Sequence, residues 1–212
     1  MPKLASSILV LAASTLLCGC AQPSRSRALG DPSVPAPALA EQGCSNCHGL
    51  RGVALSDNFP HLAAQQAPYL EAQLRSLRDK HRRDPGGYIY MWGIARGLSD
   101  DQIKGLAAYY AAQAPAPAAP PDLQEARAGR AIFDDGVPDR GIPACSSCHG
   151  DKGAGAGPIP RLAGQHRAYL LRQLAILRLE ADNRPMGSVM SAVAHKLDDS
   201  DMRSLADYIA TL

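Results

Sequence analysis

Pro60-His-Leu-Ala-Ala-Gln-Gln-Ala-Pro-Tyr-Leu-Glu-Ala-Gln-Leu-Arg-Ser-Leu-Arg78 returns 100 residues later as Pro160-Arg-Leu-Ala-Gly-Gln-His-Arg-Ala-Tyr-Leu-Leu-Arg-Gln-Leu-Ala-Ile-Leu-Arg178. Ten of the 19 positions are identical, among them Leu, Ala, Gln, Tyr and the spaced Gln-Leu pair. Self-similarity at a fixed offset marks an internal duplication, so the chain is read as two copies of one unit. Within each copy the apolar positions have helical spacing. Tyr69, Leu70, Gln73, Leu74 and Leu77 share one face, as do Tyr169, Leu170, Gln173, Leu174 and Leu177. Pro68 suits a first helical turn.

Downstream of each repeat lies a second helix signal. Ser99-Asp-Asp-Gln102 is a capping box, and the helix it opens is expected to bury Ile103, Leu106, Ala107 and Tyr110. Asp198 is expected to cap the equivalent helix, with Met202, Leu205, Ala206 and Ile209 inside. In the second copy Glu125–Phe133 adds a full helix, with Gly129 and Phe133 suited to packing on Tyr208. The corresponding helix of the first copy reads as truncated, because Pro35 and Pro37 stand just before Glu41. Gly- and Pro-rich stretches such as 153–158 read as loops, and no strand pairs stand out. The expected fold is all-α, with two tandem lobes joined by the Pro-rich linker Ala114-Pro-Ala-Pro-Ala-Ala-Pro-Pro121.

Upstream of each repeat sits Cys-x-x-Cys-His: Cys44-Ser-Asn-Cys47-His48 and Cys145-Ser-Ser-Cys148-His149. This spacing is that of covalent c-type haem attachment. Two thiols one helical turn apart reach the two vinyl groups, and the next residue presents an imidazole to the iron. Three other chemistries use Cys pairs, and each fits less well. A zinc site built from both pairs would have to close about 100 residues across a Pro-rich linker. A thioredoxin-like redox pair needs a βαβ context. A disulfide across a two-residue gap is strained.

The other axial position is assigned from the repeat. Met91 precedes Leu98 by seven residues, and Met190 precedes Leu197 by seven. Met186 competes in the second copy but breaks the alignment. His61, His81, His166 and His195 have no equivalents in the other copy and read as surface or loop residues. His/Met ligation raises the reduction potential and fills the coordination sphere, which favours electron transfer over catalysis at the iron.

Composition agrees with a cofactor-dependent chain. Only 2 Phe, 1 Trp and 7 Tyr are present among 212 residues. Two small cores with so few aromatics need bulk from elsewhere. Formal net charge is +2, which argues against nucleic-acid binding by phosphate neutralisation. The lobes are close to neutral, with 8 basic and 7 acidic residues over 38–114 and 11 and 12 over 122–212. Arg78 and Arg178 occupy equivalent positions and read either as partners for haem carboxylates or as solvated side chains.

Residues 4–17 form a short apolar run behind Lys3, too short for a comfortable membrane span and typical of an export signal. Leu17-Cys18-Gly19-Cys20 has the form of a bacterial lipobox with Cys20 at the acylated position; cleavage after Gly19-Cys20-Ala21 is the alternative. Two acyl chains are enough for stable anchoring. The expected organisation is a signal peptide over 1–20, a flexible tether over 21–38, a first lobe over 39–113, the linker over 114–121 and a second lobe over 122–212.

Taken together, these motifs resemble the dihaem cytochrome c4 family. In the second lobe the resemblance runs through Cys145–Gly150, Pro160-Arg-Leu-Ala-Gly-Gln-His166, Tyr169-Leu-x-x-Gln173-Leu174, Met190 and the Leu197–Leu212 helix. In the first it runs through Cys44–Gly49, Pro60–Gln65, Tyr69–Leu74, Met91 and Leu98–Asp100. The resemblance implies two covalently bound haem c groups, attached at Cys44, Cys47, Cys145 and Cys148. Their axial pairs are His48 with Met91 and His149 with Met190. It implies a periplasmic electron carrier that serves a terminal oxidase, or the electron-transfer subunit of a dehydrogenase complex. A dihaem peroxidase or thiosulfate-oxidising enzyme would need an open iron position. Two departures stand out: Ala64 where the second lobe has Gly164, and Arg83-Asp-Pro-Gly-Gly-Tyr-Ile-Tyr90 ahead of Met91 in place of an Arg-x-Asn segment.

Overall fold

The structure, a computed structural model, describes residues 31, 33–120, 123–179 and 184–212. The signal sequence, Cys20 and residues 21–30 of the expected tether lie outside the described residues. The described part of the chain is helical, with only two isolated bridges, Val137 with Ile142 and Ala156 with Ile159.

In the first lobe, α1 (Ala36–Leu39) continues through a π-helical turn (Ala40–Cys44) into α2 (Ser45–His48). Then come α3 (Ala67–Arg78), a second π-helical turn (Gly87–Met91) leading into α4 (Trp92–Ala95), and α5 (Asp100–Ala111). The second lobe has α6 (Leu123–Asp135), a 3-10 turn (Pro138–Arg140) and α7 (Ser146–His149). These are followed by α8 (Arg167–Leu179), α9 (Gly187–Ala194) and α10 (Asp199–Ala210).

The caps form as the sequence predicts. Ser99 Oγ accepts from Gln102 N at 3.2 Å, and Gln102 Oε1 accepts from Ser99 N at 3.0 Å. In the second lobe Asp198 and Asp201 make the same reciprocal pair. Each box satisfies two N–H groups that would otherwise lack partners at a helix start. The final helix of each lobe carries the core. Ile103, Leu106, Ala107 and Tyr110 are buried in the first lobe, and Met202, Leu205, Ala206 and Ile209 in the second.

The N-terminal helix of each lobe crosses this final helix at close range. A Cβ at Gly129 would lie 1.8 Å from Ser204 O, so α6 packs at this distance on α10 only because position 129 has no side chain. Phe133 is fully buried and meets Tyr208 edge-on at 5.6 Å. In the first lobe the small residue sits on the other partner: Gly105 of α5 faces Ala36 of α1.

The first lobe begins earlier than the sequence suggested. Val34 is 2% exposed, and Gln102 Nε2 donates to Asp31 O at 2.7 Å. The expected tether therefore stops short of 38, because an apolar side chain at 34 finds the core of α1 and α5. The linker runs along the end of α10, where Ala119 N donates to Ala210 O at 2.8 Å. Among the described residues no helix is long and apolar enough to cross a membrane.

Candidate functional site

Each Cys-x-x-Cys-His segment ends in one short helical turn, α2 or α7, so both thiols and the histidine emerge from a single turn. Cys44, Cys47 and Cys145 are half-buried, Cys148 is exposed, and none of the four is in a disulfide. Gly49 and Gly150 follow the histidines with φ of 75° and 79°, a left-handed conformation that ends the helix and suits glycine.

The two histidines have the same surroundings. His48 is 5% and His149 6% exposed. His48 Nδ1 lies 3.0 Å from Pro60 O, and His149 Nδ1 lies 3.0 Å from Pro160 O. A carbonyl only accepts, so Nδ1 carries the proton in both rings and Nε2 keeps its lone pair. Burial pushes both imidazoles below their ordinary pKa, against a smaller opposing effect from the proline carbonyl. Neutral imidazole with its tautomer fixed is the form that binds a metal.

A matching loop places each proline. Leu62 N and Ala63 N donate to Gly52 O at 2.7 and 3.0 Å; Leu162 N and Ala163 N donate to Gly153 O at 2.7 and 3.1 Å. The duplication thus extends to individual hydrogen bonds. It also explains the Ala64 departure: Ala64 at φ 55° takes the left-handed place of Gly164 at φ 69°.

Met91 closes the π-helical turn ahead of α4, and Met190 lies within α9; both are half-buried. Met186 stands at the N-cap of α9, 52% exposed and with φ 61°. The aromatic segment before Met91 is open to solvent, with Tyr88, Ile89 and Tyr90 each more than half exposed. Phe59 bridges it to the histidine, 5.7 Å from Tyr90 and 6.0 Å from His48 between ring centroids.

Arg78 and Arg178 each pair with a partly exposed aspartate. Arg78 Nη1 donates to Asp100 Oδ1 at 2.7 Å, and Arg178 Nη1 to Asp199 Oδ1 at 2.9 Å. Each bonds the aspartate that opens the last helix of its lobe. A buried cationic group lies elsewhere. Arg82, Arg184 and Asp84 have side chains 10%, 7% and 2% exposed. Arg82 reaches Gln73 at 2.9 Å and Gln173 at 3.3 Å, and Arg184 reaches Gln173 at 2.5 Å.

Burial would raise the Asp84 carboxyl, but the Arg82 guanidinium beside it holds it below the usual range. Burial and the Arg82 charge push Arg184 down, and burial pushes the Tyr69 phenol up to about 12. Two cations face one carboxylate here, and Arg184 Nε and Nη2 are buried without a hydrogen-bond partner. Sequence reasoning missed this cluster because Arg82 and Arg184 are 102 positions apart, off the register of the repeat. His61 and His166, expected as surface or loop residues, do lie in loops, but they are half-buried and face each other between the lobes, ring centroids 3.8 Å apart.

The cytochrome c family model matches residues 34–112 and again 126–212. Cytochrome c-552 of Acidithiobacillus ferridurans is 39% identical over 190 residues, covering 88% of this chain and 81% of that protein. The crystal structure of reduced recombinant cytochrome c4 from Pseudomonas stutzeri superposes with a TM-score of 0.76 at 33% identity, covering 86% of this chain and 99% of that one. The chain belongs to the dihaem cytochrome c4 family. As a cytochrome c4 it carries two covalently bound haem c groups and acts in electron transfer.

The residues present fit those groups. Each lobe offers two cysteines outside any disulfide and one buried, tautomer-locked imidazole on a single turn. Arg184 Nε and Nη2, buried without a hydrogen bond, are donors suited to an anionic group such as a haem carboxylate. Another relative of this chain is the thiosulfate dehydrogenase electron acceptor of Stutzerimonas stutzeri, 32% identical over 184 residues, covering 82% of this chain and 80% of that protein.

Proposed function

We propose that this cytochrome c4 is an electron carrier whose irons are held by His48 with Met91 and by His149 with Met190. Thioethers to the haems form at Cys44, Cys47, Cys145 and Cys148. The observation that carries the reading is the matched pair of histidines, each buried, neutral and donating Nδ1–H to a proline carbonyl at 3.0 Å. When bound, each haem supplies an Fe(III)/Fe(II) couple. Everything else is done by the chain. His48 and His149 present Nε2 lone pairs of fixed direction. Met91 and Met190 offer soft, neutral sulfur, which favours the reduced metal. Met190 is preferred to Met186 because it is half-buried and holds the repeat position of Met91. Arg82 and Arg184 supply positive charge and hydrogen-bond donors for the cofactor carboxylates, with Asp84 offsetting part of that charge.

The chain is a carrier and not itself an enzyme in this reading. A filled His/Met sphere leaves the iron no position for a substrate, and the four cysteines are all committed. Its partners are a dehydrogenase that delivers electrons and a terminal oxidase that removes them. The relative named as an electron acceptor of thiosulfate dehydrogenase supports the first, and it equally favours the alternative of a bound subunit of a dehydrogenase complex. We place the protein in the periplasm on its export-signal sequence, tethered to a membrane through acylated Cys20.

Coulometric titration of the purified holoprotein tests the carrier reading. It should take up two electrons per chain in two low-spin steps, and thiosulfate or peroxide added alone should not turn over. Turnover of either by the isolated chain, or a high-spin iron at rest, would overturn it.

A further inference from the structure

A peptide group transmits polarisation: an acceptor on its N–H makes its C=O a stronger acceptor. The Pro60–His61 peptide is engaged at both ends. Its carbonyl accepts from His48 Nδ1 at 3.0 Å, and its N–H donates to Gln165 Oε1 at 2.9 Å. The Pro160–Arg161 peptide is engaged in the same way. Its carbonyl accepts from His149 Nδ1 at 3.0 Å, and its N–H donates to Gln65 Oε1 at 2.7 Å. In each case the glutamine comes from the opposite lobe.

Both glutamines are rigidly held. Gln65 is 7% and Gln165 8% exposed. Gln165 Nε2 donates back to His61 O at 3.0 Å, and Gln65 Nε2 to Arg161 O at 2.9 Å. Each Oε1 accepts a second N–H, from Gln66 at 2.9 Å or from His166 at 3.0 Å. Oxygen meets donors and nitrogen meets an acceptor, which fixes the amide orientation of both side chains.

We propose that Gln65 and Gln165 are crossed positioning residues that tune the haem potentials, Gln165 acting on the first-lobe haem through His48 and Gln65 on the second-lobe haem through His149. The inference rests on the reading of His48 and His149 as axial ligands. The direction follows from the chemistry. Gln165 Oε1 draws on the His61 N–H and makes the Pro60 carbonyl a stronger acceptor. That carbonyl then draws the Nδ1 proton and raises the electron density at Nε2. A more basic imidazole stabilises Fe(III) and lowers the potential. Removing the amide releases this pull.

The test uses holoprotein carrying Gln165→Leu, Gln65→Leu, Gln165→Glu or Gln65→Glu. Potentials come from spectroelectrochemistry, and paramagnetic NMR of the axial imidazole Nδ1–H signals assigns each haem. Gln165→Leu should raise the first-lobe potential by a roughly three- to tenfold change in the redox equilibrium constant, tenfold being about 59 mV for one electron. The second-lobe haem should move less. Gln65→Leu should give the mirror result. The glutamate variants keep an acceptor and make it anionic, so they should lower the potentials that leucine raises.

A leucine variant whose larger shift falls on the haem of its own lobe would overturn the proposal. So would leucine and glutamate variants that shift a potential in the same direction, since that is what loosened packing alone would do. If a leucine variant does not fold, the sign of the glutamate shift decides. Wild-type protein lacking hyperfine-shifted Nδ1–H signals from His48 and His149 would instead overturn the ligand reading on which this one stands.

Discussion

The imidazoles of His61 and His166 lie against each other between the two lobes, ring centroids 3.8 Å apart and planes tilted by 33°, and one residue, Ala54, ties both. Ala54 N donates to His61 Nδ1 at 3.0 Å, and Ala54 O lies 3.1 Å from His166 Nε2, which therefore carries a proton. A ring nitrogen that accepts a backbone N–H has no proton of its own, so His61 is neutral in the folded chain. Burial, then the neighbouring His166, lowers its pKa to about 4. Asp57 and Arg167 are the charged groups lining the same cleft.

This pair predicts a pH dependence. The unfolded chain takes up a proton at His61 near pH 6.5, whereas the folded chain resists until about 4. Between those values the unfolded state binds more protons, so stability falls as pH drops through the window. After allowance for solvent screening the loss is about 1 kcal/mol. Denaturation midpoints of the holoprotein measured from pH 7 to 4 check this against His61→Phe. The variant keeps the backbone contacts of residue 61 and should show a shallower decline; equal slopes would contradict the assignment.

Asp84 carries a larger share of stability. Its side chain is 2% exposed beside Arg82, and it accepts the Gly87 N–H at 3.2 Å. Asp84→Ala removes the carboxylate beside two buried guanidinium groups, leaves the cofactor carboxylates and the glutamines to offset them, and should cost about 2–3 kcal/mol. Denaturant titration of the holoprotein reads this directly. A loss below about 1 kcal/mol would mean that the arginines take their main compensation from another group.

Ala64 offers a gain. Its φ of 55° costs an alanine roughly 1 kcal/mol or more, a cost that Gly164 avoids in the other lobe. Ala64→Gly should therefore stabilise the first lobe by about 1 kcal/mol, read as a higher thermal midpoint. A lower midpoint would show that the methyl group makes packing contacts that outweigh the backbone strain.

Much of this architecture was legible in the chain because the signals are local. The capping boxes at Ser99 and Asp198 act over three residues, and the buried faces of α5 and α10 follow from helical spacing. The duplication let the reading of one lobe support the other. What escaped was long-range or asymmetric. Residue 61 is histidine where 161 is arginine, yet Gln165 and Gln65 grip their backbones alike, so the interface uses main chain that side-chain identity does not reveal. Arg82 and Arg184 meet off register. Arg78 and Arg178 found helix-opening aspartates 22 and 21 residues ahead, a pairing that only the folded geometry brings about. Val34 joined the first lobe because the core between α1 and α5 had room for one more apolar side chain, which no spacing rule announces.

The central claim is that Met91 and Met190 complete the two iron sites. Replacing one methionine with histidine changes that site from His/Met to His/His, which lowers its potential. Redox titration of holoprotein carrying Met91→His or Met190→His tests this directly. The account predicts that each variant keeps two low-spin haems and that only one haem falls in potential, the first-lobe haem for Met91→His and the second-lobe haem for Met190→His. Unchanged potentials in either variant, or a fall in the second lobe produced by Met186→His and not by Met190→His, would contradict it.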